Sequence, residues 1–336
     1  MKTIKIFVTA AVLLFCVNII NAQVGINKLA QSTMNFQLVS VSPKASAMGE
    51  AYFAVGNNSD AIFYNPAGIA GSKTPFDVTF NYTQWIADIK YLAGAVTYNL
   101  EELGTVGISL LSVDYGNIIG TRLAHPSQLS SYPDGYIETG LIDNVGAYSF
   151  GISYARQIST QFSIGGNIRY AGQNLGSNSF YDGSSRENNA AKFVFDAGVL
   201  YNTDYKDFRF GMAIRNFASN LKREAVDEQL PLTFTLGAAI DLLQFITDSK
   251  EDALTFAVDF LHSNSYSERM NIGAEYRFLG VVALRAGYQT NRDIASWSMG
   301  AGVNTSLSGY NVEVNYSFSK MDVFDNVNRL AVNFAF

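Results

Sequence analysis

From Phe76 onward the chain alternates apolar and polar residues with a period of two, in segments separated by turn residues. Each segment is about ten residues long, the length of a tilted strand crossing a bilayer. Over residues 269–278, Met270, Ile272, Ala274, Tyr276 and Phe278 fall on one side, and Asn271, Gly273, Glu275 and Arg277 on the other. Tyr310, Val312, Val314, Tyr316 and Phe318 separate in the same way from Asn311, Glu313, Asn315 and Ser317. So do Leu232, Phe234, Leu236, Ala238 and Ile240 from Thr233, Thr235, Gly237, Ala239 and Asp241. One face suits lipid, and the other, Gly-rich and polar, suits water. Such segments begin near Phe76, Lys90, Gly104, Asp143, Thr160, Ala190, Lys206, Leu230, Asp252, Glu268, Val281, Ile294, Gly309 and Asn328. That makes fourteen, and closure of a bacterial single-chain barrel requires an even number. The pattern predicts an all-β fold, a transmembrane antiparallel β-barrel over residues 75–336.

The connections alternate in length. After the first, third, fifth and seventh segments they span residues 85–89, 114–142, 174–189 and 218–229, whereas the intervening ones, at 100–103, 159, 204–205 and 279–280, are tight. Long loops on one side and short turns on the other are the outer-membrane pattern, with the short turns periplasmic. Residues 242–251 break the rule, and the alternation offers no reason for it. The terminal segment places Leu330, Val332, Phe334 and Phe336 opposite Ala331, Asn333 and Ala335. A last strand closing on Phe334 and Phe336 resembles the signal read by the barrel-assembly machinery.

Composition decides between this barrel and a soluble β-sandwich, whose strands also alternate. A sandwich would carry Lys and Glu liberally on its solvent face. Here charged residues are only 15% and aromatics 13%, against about 25% charged residues in an average soluble domain. Mean hydropathy is only +0.07, which excludes a helical polytopic protein built from several runs of roughly 20 apolar residues. The net charge of −6 leaves no basic footprint for nucleic acid.

One apolar run stands at the start, where Lys2 and Lys5 precede residues 6–17, followed by Asn21, Ala22 and Gln23. A charged start, a short apolar stretch and a small residue predict a secretory signal peptide over residues 1–22, cleaved after Ala22 and delivering the protein to the cell outer membrane. The run is short for a retained anchor. Cys16 follows Phe15 rather than the small residue of a lipoprotein signal, so the expected cleavage removes the sole cysteine, and with it any disulfide or thiolate chemistry.

Residues 23–74 do not alternate and have the composition of a compact plug. They include Ala45, Ser46, Ala47, Met48 and Gly49, then Ala54 and Val55, and finally Asp60, Ala61, Ile62, Phe63, Tyr64, Asn65, Pro66, Ala67 and Gly68. Asn65 before Pro66 favours an extended or turn conformation, and Gly68 permits positive φ, so the chain is expected to reverse there. This stretch resembles the N-terminal hatch of the FadL-like barrel superfamily, whose members carry an Asn-Pro-Ala-Gly motif just before the first of fourteen strands. Within it the match over residues 45–49 and 60–68 is most similar to the PorV/PorQ proteins of Bacteroidetes-type bacteria, and it fits PorV-like and PorQ-like members equally. The resemblance implies a component of the type IX secretion system, partnered by translocon or attachment-complex proteins and by secreted cargo. The wider superfamily implies the alternative, a transporter of long-chain fatty acids or other hydrophobic small molecules. Met48, Gly49, Asn65, Pro66, Ala67 and Gly68 are then the structural or gating candidates, with an ordinary turn as the plainer alternative.

Enzymatic chemistry finds no constellation. His125 and His262 have no Ser and carboxylate beside them in triad-like arrangement. No Cys or His cluster has metal-ligand spacing, and the acidic stretches 57–60 and 322–326 do not follow a calcium-loop spacing. No catalytic residue, cofactor or metal is expected. Alternation places Arg169, Arg209, Arg215, Asp241, Asp259, Glu275, Arg277, Arg285 and Glu313 inward. Being of both signs, they suit bracing of wall and plug better than a one-signed ligand path. The longest connection, 114–142, holds Tyr115, His125, Pro126, Tyr132, Pro133, Tyr136 and Ile137. Aromatic and Pro-rich loops on a rigid scaffold suit protein recognition, which makes Tyr115, His125, Tyr132 and Tyr136 partner-binding candidates.

Overall fold

The computed structural model describes residues 32–180, 182–203, 205–223, 226–247, 251–292, 295–307 and 309–336. The expected signal peptide, the cleavage point after Ala22 and the strand start placed at Ile294 lie outside the described residues. Among the described residues eighteen strands follow in chain order: β1 (Phe76–Gln84), β2 (Lys90–Asn99), β3 (Thr105–Asp114), β4 (Ile119–Leu123), β5 (Tyr136–Leu141), β6 (Gly146–Gln157), β7 (Phe162–Ser179), β8 (Ser185–Asn202), β9 (Arg209–Phe217), β10 (Leu221–Arg223), β11 (Val226–Glu228), β12 (Thr233–Asp241), β13 (Ala253–Ser263), β14 (Arg269–Phe278), β15 (Val282–Gln289), β16 (Trp297–Leu307), β17 (Tyr310–Ser319) and β18 (Val327–Ala335). Fourteen of them form one closed barrel in the order β1-β18-β17-β16-β15-β14-β13-β12-β9-β8-β7-β6-β3-β2, each pair antiparallel. The other four make two separate hairpins, β4 with β5 and β10 with β11. The expected fold class and strand number therefore hold, and the apolar faces point outward. On β12, Phe234 and Leu236 are exposed while Thr233, Thr235 and Ala239 are buried.

Closure is completed at the chain end. Phe76 N donates to Phe336 O at 2.8 Å and Phe336 N to Phe76 O at 3.0 Å. The Phe336 ring stacks on Phe76 with centroids 5.4 Å apart and meets Tyr310 edge-on at 5.3 Å. The last residue thus makes the final rung and covers it with apolar surface.

The connections differ from the sequence pattern in three places. Residues 174–189, expected to be a loop, belong largely to β7 and β8, which stay paired across a register shift between Asn174 and Ser177. The apolar alternation ends where both faces meet water, but the backbone ladder does not. Loops 114–142 and 218–229 likewise contain the β4–β5 and β10–β11 hairpins. The odd connection after β12 is clamped where it leaves and rejoins the wall. Asp241 Oδ1 accepts from the backbone N–H groups of Leu243 and Leu254, both at 3.0 Å, and Lys206 Nζ donates to Gln244 O.

Residues 32–75 fill the barrel. Thr33 N donates to Gln229 O at 2.9 Å at the long-loop end, and Pro75 O accepts from Asn99 N at 2.8 Å at the short-turn end, so the segment traverses the lumen from one mouth to the other. It carries one short helix, α1 (Pro43–Ala47), and 3-10 turns at Asn35–Leu38, Ser59–Phe63 and Pro66–Gly71. Ala45, Met48, Ala51, Tyr52, Phe53, Ala54 and Tyr64 pack against Ala213, Ala239 and Ala257 of the wall. Here the expectation of a wet face at Asn271 and Gly273 is corrected. Asn271 is 1% exposed, and a Cβ on Gly273 would meet Met48 O. The small residues of the inner face make room for a second layer of backbone.

Three substitutions test the orientation of the wall. Tyr276→Arg and Ile272→Arg each place a charge against lipid at a cost of roughly 2–4 kcal/mol near mid-bilayer, and should reduce the band of folded barrel that migrates fast without boiling. Ser306→Arg, exposed on the inward face at the short-turn end of β16, should leave that band unchanged.

Candidate functional site

The inner segment is held around the whole circumference of the wall. Asp259 Oδ2 on β13 accepts from the backbone N–H groups of Tyr52 and Phe53 at 2.7 and 3.1 Å. On β1, Asp77 Oδ1 accepts from Ser59 N at 3.1 Å and from the Ser59 hydroxyl, and Asn333 of the adjoining β18 donates to the same oxygen at 2.7 Å. Asp60 accepts from Ser42 Oγ at 2.7 Å and from Asn81 Nδ2 at 2.9 Å. Lys44 pairs with Glu313 on β17, and Arg329 Nε on β18 donates to Ser40 O at 3.0 Å. Away from water each of these donors needs a partner, and wall and segment supply one to the other.

The turn at 65–68 owes its residue types to contacts from several strands. Asn65 is extended (φ −126°, ψ 103°), as the following Pro66 requires. Its amide donates to Phe53 O at 2.9 Å and to Val199 O on β8 at 3.0 Å, while Oδ1 accepts from Ala67 N at 3.1 Å. A carboxylate would lose both donated bonds. Pro66 opens the 3-10 turn, and Ala67 is fully buried. Gly68 is not at positive φ, contrary to expectation. It lies where a Cβ would strike Gly56 O, so its contribution is close approach of two turns. Gly49 does take positive φ, +61°, just beyond α1, and the peptide joining it to the buried Met48 rests against Gly287 of β15.

The inward charges pair as braces. Arg285 Nε meets Glu275 Oε2 at 2.6 Å, Arg277 meets Glu275 Oε1 at 2.7 Å, and Arg285 reaches Glu313 at 3.5 Å. Arg169 binds both oxygens of Asp196, at 2.7 and 2.8 Å. Arg215 donates to Phe63 O at 2.6 Å and lies over the Phe53 and Tyr64 rings. Arg209 reaches Asp207 at 3.5 Å. Asp77, Asp196 and Arg329 complete these networks although the sequence reading did not name them, and Asp60, named there only within the plug stretch, joins them. For the three on strands, inward parity on a correctly bounded strand was the available signal. Between segment and wall, toward the long-loop mouth, lies a cavity of about 360 Å³ whose lining includes Gln37, Phe53, Phe63, Arg169, Arg215 and Arg292.

The four surface-loop candidates do not converge. Tyr115 OH accepts from Gln173 Nε2 at 2.9 Å and packs on the barrel rim beside Tyr91 and Val113. His125 caps the turn Pro126–Gln128, its Nδ1 accepting from Ser127 N at 3.3 Å. Tyr132 and Tyr136 are exposed on the β4–β5 hairpin and its tip, beside Ile119, Leu123, Leu129 and Leu141. The apolar members escaped the sequence reading, although Ile119 and Leu123 flank Thr121 in a short alternation of their own. His262 stands apart, 3.2 Å from Glu268 at the surface. Among the described residues no group of three His, Cys, Asp or Glu is placed to hold a metal.

A family model described as type IX secretion system protein PorV matches residues 23–263. The chain belongs to the PorV family. It is therefore an outer-membrane component of the type IX secretion system. The fold is that of FadL-like outer-membrane barrels. It is similar to the toluene transporter TbuX of Ralstonia pickettii, with 13% identity, 89% of this chain and 98% of that chain covered, and a TM-score of 0.59. The toluene transporter TodX of Pseudomonas putida is 11% identical over 87% and 96% of the two chains, with a TM-score of 0.58. No curated protein sequence matches this chain.

In this PorV-family protein, loss of an anchor should free the inner segment without unfolding the wall. Asp259→Ala leaves the buried N–H groups of Tyr52 and Phe53 without their acceptor, about 1–3 kcal/mol for each such group. Planar-bilayer recordings should show a higher open probability than for the parent protein, and an unchanged closed baseline would mean that the anchor is dispensable.

Proposed function

We propose that this protein is a non-enzymatic docking component. It receives secreted cargo on its cell-surface loop and presents it to translocon or attachment-complex proteins. The observation that carries this reading is the β4–β5 hairpin, which extends from the long-loop mouth and exposes large apolar side chains outside the wall. A contiguous apolar surface in water marks a protein-binding site, and loops on a rigid scaffold are where recognition concentrates. Tyr132 and Tyr136 supply amphipathic contact area with few rotatable bonds. Tyr115 and His125 serve the site by setting the base and tip of the loop. Membership of the PorV family supports the same assignment. The barrel-assembly role of Phe334 and Phe336 is part of the same proposal, supported by the backbone pair and ring stack that Phe336 makes with Phe76 across the closing strands.

The second reading is a FadL-like transporter of long-chain fatty acids or other hydrophobic small molecules. The cavity behind Phe53 and Phe63 favours it. The anchoring of residues 32–74, the proposed hatch, speaks against an open path, as does pairing of β1, β2 and β3 without a break. In that reading Met48, Gly49 and Asn65 to Gly68 would move as a gate, whereas in the docking reading they are a fixed plug.

Replacing residues 118–142 by a short Gly-Ser turn should leave the fast-migrating barrel band intact and abolish release or surface attachment of cargo. Uptake of a labelled long-chain fatty acid is measured in parallel. Unchanged secretion with lost uptake would overturn docking in favour of transport.

A further inference from the structure

The cavity of about 360 Å³ between segment and wall is more than a packing gap. Ser32, Tyr266 and the exposed Asn35 stand at its outer end, and Phe53, Phe63 and Leu261 line its apolar part. Its charges do not balance. Asp196 is taken by Arg169, whose other bonds reach Gln37 and Asn216. Glu50 lies 3.5 Å from Arg292. Arg215 is left with no carboxylate among the described residues. One of its N–H groups meets Phe63 O, and its plane is held over the Phe53 and Tyr64 rings. A guanidinium carries five N–H donors in a planar fork, so most of this fork faces the cavity.

Among the described residues, two buried polar atoms on the same lining have no hydrogen-bond partner. Asn271, 1% exposed, offers Oδ1 as an acceptor, and Arg292 offers Nε as a donor. Buried polar atoms are normally matched. Two waters would serve both, yet the cavity has the volume of roughly twelve, at about 30 Å³ each, and water does not neutralise Arg215. A hydroxyl group suits the pair, because it donates and accepts at once. Asn271 and Arg292 lie on the side of β14 and β15, whereas Arg215 is on β9. In the barrel order β9 and β14 are three strand spacings apart, roughly 14 Å of wall. The group that meets Arg215 and the group that meets Asn271 therefore belong at opposite ends of one short molecule.

We propose that this cavity binds a small hydroxy acid. Its carboxylate lies on the Arg215 fork, its hydroxyl donates to Asn271 Oδ1 and accepts from Arg292 Nε, and its apolar body rests against Phe53, Phe63 and Leu261. A fork of N–H groups matches the two oxygens of a carboxylate. A long-chain fatty acid has no second polar end and would leave Asn271 unmatched. The site is separate from the surface hairpin and does not depend on the docking reading.

The test is equilibrium dialysis of the purified full-length protein in detergent with labelled 4-hydroxybenzoate, and with benzoate, phenol and laurate as competitors. The labelled acid should bind saturably at one site per chain. Benzoate, which lacks the hydroxyl, and phenol, which lacks the carboxylate, should each compete about tenfold more weakly than the unlabelled acid, as expected for loss of a hydrogen bond to a buried or charged group. Arg215→Gln and Asn271→Leu should each lower affinity about tenfold while the fast-migrating barrel band persists. Where a variant fails to form that band, the probe comparison on the parent protein decides. Absence of saturable binding, which leaves the cavity to water, would overturn the proposal. So would benzoate or phenol competing as well as the hydroxy acid, or affinity unchanged in a folded variant. Displacement by laurate at equal strength would also overturn it and make the cavity the apolar subsite of a transporter.

Discussion

Hydrocarbon offers no partner to a backbone N–H or C=O, so a wall inside a bilayer must pair every one of them within itself. The rest of this structure follows from that constraint. A sheet with a free edge would fail, and here the edge disappears when β1 pairs with β18 through Asp77–Ala335 to Gln84–Asn328. The same demand fixes the direction of side chains, since a flat pleated wall sends alternate residues to lipid and to lumen. Leu236, Leu284 and Leu330 can then face lipid while Thr235, Arg285 and Arg329 face inward.

Inside the wall the problem changes. A lumen lined by small and polar side chains is open to water unless something of matching polarity fills it, and residues 32–75 provide that filling. The segment has little regular structure, so its backbone groups need partners from outside itself. The wall provides carboxylates and amides where the segment presents N–H groups and hydroxyls: Asp259 beneath Tyr52 and Phe53, Asp77 beneath Ser59, Asn81 beside Asp60. Gly273 and Gly287 let Met48 and Gly49 lie directly on the strands. Ion pairs such as Arg285 with Glu275 complete the filling, and in so closed a space they act as spacers of fixed geometry more than as sources of stability.

Outside the bilayer the constraint relaxes. β7 and β8 rise beyond the apolar band, and β4, paired with β5, rests beside them. A wall with no edges therefore carries a two-stranded projection outside it.

The sequence alone determined the wall. Its alternation is a local property, repeated every two residues, and it yielded the number of strands, their facing and the even count without knowledge of any neighbour. It also marked residues 23–74 as different, and it identified the turn at Asn65, Pro66, Ala67 and Gly68. What it left open are the facts that depend on residues far apart in the chain. Gly68 is needed because Gly56 O lies against it, Gly273 because Met48 does, and Asp259 because two amides more than two hundred positions earlier point at it. His125 looks chemical in isolation, but its partner Ser127 and the turn that follows make it a cap. The β4–β5 hairpin escaped because its pairing lies outside the lipid band, where no apolar face is enforced and the period-two signal fades. Burial against lipid writes itself into the chain one residue after another, whereas contact between plug, wall and loop is written only when the barrel closes and brings distant positions together.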